Sequence, residues 1–198
     1  MQVRGSGECE RMTVMNDQWL RAWANNNGVS PYDPAHTQPC SLDVTFGGDV
    51  QRPRSALSRQ LRRLDNWRNG REFTPKQLES DLRWHESEMV DSLTIRRGDF
   101  FLVWTAEYTR IPSGYCAQFL LKSTPARWGL GHQLAGWGDD GFEGQWVLEI
   151  FNMHPQPLTI RRGEAIGQLI IQSMNAPAVR DYTAKGGQYV AQRPQVAR

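Results

Sequence analysis

The sequence has little cysteine, and the cysteines that it has are far apart. Cys9, Cys40 and Cys116 form no pair with metal-ligand spacing, and three such residues indicate no disulfide framework. This pattern is typical of a reduced compartment, so we expect a cytoplasmic protein. The chain also has no apolar run of about 18 residues and no signal-peptide pattern at its start, so we expect no membrane contact.

Several well-known catalytic motifs are absent as well. Zinc-dependent nucleobase deaminases need an H-x-E and a P-C-x-x-C element, but Pro39-Cys40 has no second cysteine and His85 directly precedes Glu86. Walker A, G-x-G-x-x-G and G-x-S-x-G motifs are missing, which disfavours P-loop, Rossmann and α/β-hydrolase enzymes. The histidines are scattered, and we expect surface or packing residues rather than metal ligands at His36, His85, His132 and His154.

Neither positive nor negative charge is in large excess. Lysine and arginine number 23 against 21 aspartates and glutamates, a formal net charge of +2, which predicts no nucleic-acid partner. With 198 residues, of which 39% are hydrophobic, the chain is long enough for one domain with a packed core. We place this single domain at residues 15–192, between a flexible extension at 1–14 and a flexible tail at 193–198.

An insertion at about residues 51–92 differs from the rest of the domain. It is rich in arginine and poor in aliphatic residues, and we interpret it as a partly helical surface segment. Thr74-Pro75-Lys76-Gln77 resembles a capping box and predicts a helix from about residue 75 to residue 89. The arginines are typical of a solvated face, and a contact with a ligand or partner is the open alternative.

Short strands separated by turn signals predict a mainly β protein. The predicted strands are 41–46, 100–107, 116–121, 146–151 and 166–172. Turns are predicted at Gly47-Gly48, at 96–99 and at 161–164, and a short helix at 16–24 with Asn16 as its cap. Regular strands with glycine-rich connections indicate a β-barrel or a sandwich.

Two segments place polar residues where strands end. In residues 121–130, a strand runs into a predicted turn with a lysine, two hydroxyl residues and an arginine, which offers N–H groups and cations to a phosphate. In residues 135–144, glycines allow close approach of the backbone to a ligand, and Asp139 or Asp140 can accept from a sugar hydroxyl. A simple polar turn is the alternative for both segments.

A third segment places Glu149 inside an apolar strand. By strand alternation Glu149 shares a face with Val147 and Phe151, so we expect its carboxylate to be partly removed from water. Desolvation raises the pKa of a carboxyl group, which suits a general acid or base that works near neutral pH. A glutamate on the solvent face of an edge strand is the alternative.

Taken together, these segments resemble the dCTP deaminases, which are relatives of the trimeric dUTPases. The similarity is carried, in order and with matching spacing, by QPCSLDVTFGGDV, FFLVWTAEYTRIPSGY, LLKSTPARWGL, AGWGDDGFEGQWVLEIFN, PLTIRRGEAIGQLII and APAVRDYTAKGGQYVAQ. The resemblance implies a distorted β-barrel of the dUTPase-like, β-clip type with a few short helices. It also implies a homotrimer with sites at subunit interfaces, which binds a nucleoside triphosphate with Mg²⁺ and uses no zinc.

The resemblance also implies roles for individual residues. Ser123, Arg127 and Glu149 match the catalytic set, in which the glutamate activates water and carries the proton to the leaving ammonia. The serine helps to hold this water, and the arginine fixes the site electrostatically. The nucleotide-binding positions are Lys122, Thr124, Ala135, Asp139, Val147, Tyr182, Gln188 and Gln192. Asp139 matches the acid that contacts the deoxyribose, Val147 lines the base pocket, and the C-terminal residues close over the triphosphate.

Glu149 favours deamination, because water attack at C4 of cytosine needs a proton carrier beside the ring. The leading expectation is a hydrolase that converts dCTP to dUTP and ammonia without zinc. A bifunctional enzyme that gives dUMP is an alternative, which Ala135-Gly136-Trp137 favours. A plain dUTPase, which Glu149 argues against, and a nucleotide-binding trimer without catalysis are further alternatives.

The chain departs from the family pattern at a few positions. Gly138 stands for the usual isoleucine, Asp140 for the usual proline, and Gln188 for a frequent lysine. Lys185 is close enough in sequence to replace that lysine; otherwise the enzyme prefers a less phosphorylated or altered nucleotide. Such divergence suits a phage or mobile-element protein.

Overall fold

Strands are the main regular structure in the part of the chain that the structure describes. This computed structural model describes residues 13–52, 86–187 and 191. Its strands are β1 (Val29–Ser30), β2 (Leu42–Gln51), β3 (Glu88–Met89), β4 (Ser92–Ile95), β5 (Phe100–Arg110), β6 (Tyr115–Leu121), β7 (Leu130–His132), β8 (Trp137–Gly138), β9 (Glu143–Asn152), β10 (Leu158–Arg161) and β11 (Ala165–Ser173). Its helical elements are α1 (Asp17–Trp23), a π-helical turn (Ala24–Gly28), a 3₁₀ turn (Pro34–His36) and α2 (Ser123–Arg127). The predicted mainly β fold with a few short helices is confirmed.

One antiparallel sheet contains the long strands and curls on itself. Its order is β7-β9-β5-β2-β11-β6-β8, with β1 paired to β5 and β3 paired to β2. Strands β4 and β10 form a separate two-stranded ribbon. The curl gives a half-barrel, in agreement with the distorted barrel that the sequence predicts.

Alternate residues of the central strands form the core. Fully buried side chains come from β2, β9 and β11: Val44, Phe46, Leu148, Ile150, Leu169 and Ile171. Burying each of these side chains stabilises the fold by roughly 1.5–3 kcal/mol. Helix α1 adds Leu20 and Trp23, and Asn16 caps it by accepting from the Trp19 N–H at 3.0 Å, as predicted. Within the described ranges, no helix is long and apolar enough to cross a membrane.

Two local predictions at the edges of the insertion are wrong. Gly47 and Gly48 form no turn, because β2 continues through them to its end, with a register shift against β5. A Cβ on Gly47 would lie 2.9 Å from the Thr105 carbonyl oxygen, so glycine allows the two backbones to approach. The helix predicted to reach residue 89 does not do so, because Glu88–Met89 is a strand paired with β2. Residues 86–87 are not helical either, whereas residues 53–85, which include the first part of that predicted helix, lie outside the described residues.

The predicted strands are confirmed, although they are longer than predicted, and so are the turns at residues 96–99 and 161–164. At the turn of residues 96–99, the Asp99 carboxylate accepts the Arg96 N–H at 2.8 Å. At the turn of residues 161–164, the Glu164 carboxylate accepts the Arg161 N–H at 3.0 Å. Val14 forms a bridge with Gln172, so the last residues of the predicted N-terminal extension already pair with β11.

Candidate active site

Strand β9 presents Glu149 on its half-buried face. Burial alternates along β9, so Glu149 shares this face with Val147 and Phe151, while Leu148 and Ile150 are fully buried on the opposite face. The Glu149 side chain is 28% exposed. Its Oε2 atom is nevertheless buried and, within the described residues, has no hydrogen-bond partner. The carboxylate is therefore partly shielded from water, as the alternation predicts.

His132 lies beside this carboxylate. Strand β7 pairs His132 with Ile150 of β9, and the His132 Nε2 atom lies 3.6 Å from Glu149 Oε2. His132 Nδ1 accepts the Leu134 N–H at 3.2 Å, so a neutral ring has its proton on Nε2, towards Glu149. The expectation of a packing residue is right about burial but missed this contact. A three-residue strand carries no pattern that would predict pairing with β9.

The segment that follows β6 is a short helix and not the predicted turn. Lys122 is extended and precedes α2, in which Pro125 occupies the first turn, where its missing N–H costs no hydrogen bond. The Lys122 ammonium group forms an ion pair with the buried Asp43 carboxylate. Gln38 Nε2 donates to the same carboxylate oxygen at 3.0 Å. Lys122, predicted to bind phosphate, is thus also a structural partner of β2.

The polar side chains of α2 point away from the core. Ser123, Thr124 and Arg127 are exposed. Across residues 13–52 and 86–187, their side chains make no hydrogen bond or ion pair, and so none joins Ser123 or Arg127 to Glu149. The described part of one chain therefore shows no polar contact that connects Ser123 or Arg127 to Glu149.

The second predicted segment is a tight turn between β8 and β9. The Phe142 N–H donates to the Asp139 carbonyl at 2.9 Å, and Gly141 has a φ of +75°, which together define a type II turn. Asp139 is exposed, and its Oδ1 accepts from Trp137 Nε1 at 3.1 Å. Ala135, before this turn, is also exposed.

Asp140 is the other residue that the sequence predicts as an acceptor for a sugar hydroxyl, and its side chain points into the protein interior. It is 3% exposed, and its Oδ2 accepts the N–H groups of Gly114 at 3.1 Å and Ala178 at 2.8 Å. Burial and the charges of Asp139 and Asp140 raise the pKa of the Cys116 thiol in neighbouring β6. Of the two aspartates, Asp139 is therefore the one whose side chain is exposed.

A cavity lies between this turn and the chain that follows β11. Its lining includes Asp139, Asp140, Arg180, Tyr182 and Lys185. The Tyr182 ring packs against Phe142 with ring centres 5.9 Å apart. The structure thus brings Asp139, Tyr182 and Lys185 together, whereas Gln188 and Gln192 lie outside the described residues.

Comparison with known proteins decides the family. A family model described as dCTP deaminase-like matches residues 14–174. This chain belongs to the dCTP deaminase-like family. The "dCTP deaminase, dUMP-forming" of Aquifex aeolicus is 33% identical over 157 residues, which cover 79% of this chain and 78% of that protein. The protein of the same name from Mycobacterium avium is 31% identical over 185 residues, which cover 91% of this chain and 92% of that one.

A solved structure has a similar dCTP deaminase-like fold. It is the 2'-deoxycytidine 5'-triphosphate deaminase from Agrobacterium tumefaciens, which matches with a TM-score of 0.60 at 19% sequence identity. The match covers 82% of this chain and 48% of that one, so this chain spans about half the length of the Agrobacterium protein. At this level of identity the likeness concerns the fold.

At two positions where this dCTP deaminase-like chain departs from the family pattern, the structure gives a local reason. A Cβ on Gly138 would lie 2.7 Å from the ring of Trp146, so the buried indole occupies the space of the usual isoleucine. Trp146 is held in place by Nε1, which donates to Thr109 Oγ1 at 3.0 Å. Asp140 is the second residue of a type II turn, where proline is favoured but not required.

Proposed function

We propose that this chain is a dCTP deaminase that forms dUMP. The balanced reaction is dCTP + 2 H₂O → dUMP + NH₃ + diphosphate. The two curated relatives described above both have names that end in "dUMP-forming". These names support the bifunctional alternative better than the leading sequence expectation, which was release of dUTP.

The observation that carries the proposal is the position of Glu149. Its carboxylate lies on the same face as Val147, predicted to line the base pocket, and has one oxygen buried without a partner among the described residues. A shielded carboxylate with a free oxygen is suited to take up and return a proton. His132 Nε2 at 3.6 Å is close enough to orient this carboxylate after a small movement.

In the proposed mechanism, water adds to C4 of the cytosine ring. Glu149 takes a proton from this water and delivers it to N3 of the ring. It then takes the remaining proton from the C4 hydroxyl and passes it to the amino group, which leaves as ammonia while the C4–O bond becomes a carbonyl. Ser123 holds the water, and the Arg127 cation stabilises the charges around it. A second water then breaks the bond between the α- and β-phosphates and releases diphosphate.

The triphosphate is proposed to bind between the two polar segments. Thr124 and Lys122 come from the start of α2, while Arg180, Tyr182 and Lys185 line the cavity with Asp139. Within the described residues no group of three or more histidine, cysteine, aspartate or glutamate side chains is arranged to hold a metal ion. We therefore propose that Mg²⁺ enters on the phosphate oxygens, where it neutralises their charge.

The complete site is proposed to form between subunits of a homotrimer. Ser123 and Arg127 are exposed and have no polar partner in the described part of their own chain. Trp128 and Leu134, which flank this region in sequence, are 52% and 83% exposed, and a subunit contact would cover such apolar side chains.

The direct test is incubation of the purified protein with dCTP and Mg²⁺. We expect ammonia and dUMP in equal amounts, measured by a coupled ammonia assay and by anion-exchange chromatography. Glu149→Gln should lower the rate at least about a hundredfold, because a general acid or base contributes that much, while dCTP binding persists in calorimetry. Glu143→Gln is the matched control, since Glu143 lies on the same face of β9 but pairs with Arg110 at 2.8 Å.

The products separate the alternatives. Ammonia with dUTP would leave deamination intact and remove the second step. Full activity of Glu149→Gln would overturn the mechanism. Binding of dCTP, dCMP or a modified cytosine nucleotide without any turnover by the wild-type protein would indicate a binding protein.

A further inference from the structure

Asp140 connects distant parts of the chain although it lies in a tight turn. Its buried carboxylate accepts the N–H groups of Gly114 and Ala178, and its carbonyl accepts the Tyr182 N–H at 2.8 Å. Ala178 and Tyr182 belong to residues 174–187, here called the C-terminal segment. One buried residue thus holds this segment at two points.

The other contacts of the C-terminal segment involve the same region. Met174 N–H donates to the Gly114 carbonyl at 2.8 Å, and Thr183 Oγ1 donates to the Gly141 carbonyl at 3.3 Å. Val179, one residue after the Ala178 contact, is fully exposed. The segment therefore lies on the protein surface, and its position depends on the turn that contains Asp140.

The charge of Asp140 favours this arrangement as well. Its Oδ1 is buried and has no hydrogen-bond partner within the described residues, and Asp140 lines the same cavity as Arg180 and Lys185. A negative charge at the wall of a cavity attracts cations that line it, and this attraction is stronger where water is excluded. The charge of Asp140 therefore has the sign that favours docking of these cations.

Turn geometry does not require an aspartate at this position. The second residue of a type II turn accepts most residues and favours proline. The carboxylate of Asp140 is therefore explained by its bonds to the C-terminal segment and to Gly114, not by the turn.

We propose that Asp140 is a positioning residue that docks the C-terminal segment, so that Tyr182 and Lys185 face Asp139 before a nucleotide binds. The identity of the nucleotide rests on the function proposed above, whereas the docking does not. Because Asp140 acts through the segment, its loss should weaken nucleotide binding more than the chemical step.

The test compares Asp140→Pro and Asp140→Asn with the wild-type protein. Proline keeps the turn and removes the carboxylate, while asparagine keeps the shape and an acceptor oxygen but removes the charge. Glu164→Gln is the control, because its carboxylate also accepts a turn N–H, that of Arg161 at 3.0 Å, away from the segment. Trypsin cleaves after Arg180 and Lys185, so mass spectrometry reports how often the segment leaves its docked position.

We expect cleavage of the folded Asp140→Pro protein after Lys185 to be at least about tenfold faster than in the wild type, because a lost charge-assisted hydrogen bond changes an opening equilibrium by that factor. The KM for dCTP should rise by about the same factor, with kcat changed by less than about twofold. Asp140→Asn should show a smaller effect in the same direction, and it carries the test if the proline variant does not fold.

Wild-type cleavage rates in both folded Asp140 variants would overturn the proposal. A fall in kcat at unchanged KM would also overturn it, because that result would indicate a direct part in the chemistry. If the wild-type protein does not turn over dCTP, the proposed function fails, but the trypsin comparison still decides whether Asp140 docks the segment.

Discussion

At the scale of single residues, Glu107 of β5 is a carboxyl group almost without solvent contact. It is 5% exposed, and its two oxygens accept from the N–H of Thr45 at 2.9 Å and from the hydroxyl of Thr45 at 2.8 Å. Burial raises the pKa of Glu107, and the hydrogen bonds from Thr45 oppose this shift only in part. The folded state therefore binds a proton at Glu107 more tightly than the unfolded state does.

This shift predicts a pH dependence of stability. A raised folded-state pKa stabilises the protein fully below the unfolded-state pKa, and this contribution is lost as the pH rises through the folded-state pKa. Glu107→Gln keeps the shape without the charge, so its unfolding free energy should fall less with rising pH, by up to about 1.4 kcal/mol per pH unit in the titration range. Urea denaturation of both proteins across the mildly acidic range measures this difference. Parallel pH profiles would contradict the assignment.

At the scale of secondary-structure elements, packing between strands limits the size of the side chain at a given position. Strand β8 pairs with β6, and Gly138 of β8 lies under the Trp146 ring of β9. The indole takes the volume that a larger side chain at position 138 would use. The two positions are therefore coupled through packing, although eight positions of sequence separate them.

This coupling predicts a non-additive pair of substitutions. Gly138→Ile alone should destabilise the protein by about 1–3 kcal/mol through overpacking. Trp146→Leu alone should cost roughly 2–5 kcal/mol through a cavity and the lost bond to Thr109. The double variant should lose less unfolding free energy than the two single variants lose together, by about 0.5–3 kcal/mol, as measured by urea denaturation. Trp128→Leu, at an exposed tryptophan, is the control and should add to Gly138→Ile without coupling.

At the scale of the whole molecule, the lack of a polar contact between Glu149 and α2 within the described residues raises the question of subunit assembly. Glu149 lies on β9, whereas Ser123 and Arg127 are exposed on α2, and within the described residues no polar contact links them. If the proposed site forms between subunits, each site combines Glu149 of one chain with Arg127 of its neighbour. Cyclic trimers provide such an arrangement three times.

Subunit mixing tests this arrangement. Glu149→Gln and Arg127→Ala proteins should each be inactive, but trimers formed by co-expression of both should regain activity. With random mixing, about one site in four combines the intact residues from two neighbouring chains. Ammonia release by purified mixed trimers measures the recovery, and co-expression of two differently tagged Glu149→Gln chains is the control. Verified mixed trimers without activity would place the whole site in one chain.

Much of the fold follows from local patterns in the sequence. The helix cap at Asn16, the turns at 96–99 and 161–164 and the alternating face of β9 depend on residues that are close in sequence, and the structure confirms them. The prediction of a turn at Gly47-Gly48 was wrong because the same glycine pattern is typical of either a turn or a close approach of two backbones. Only the neighbouring strand β5, distant in sequence, distinguishes these two cases.

The sequence by itself determined which face of β9 carries Glu149, where the long strands lie and, through its ordered segments, the family. The tertiary structure alone decided that His132 lies beside Glu149, that Lys122 pairs with Asp43, and that Asp140 holds Ala178. Each of these contacts joins residues that are 17 or more positions apart. Such contacts depend on which strands become neighbours and in which register, and no local pattern specifies this because it is set by the packing of the whole sheet.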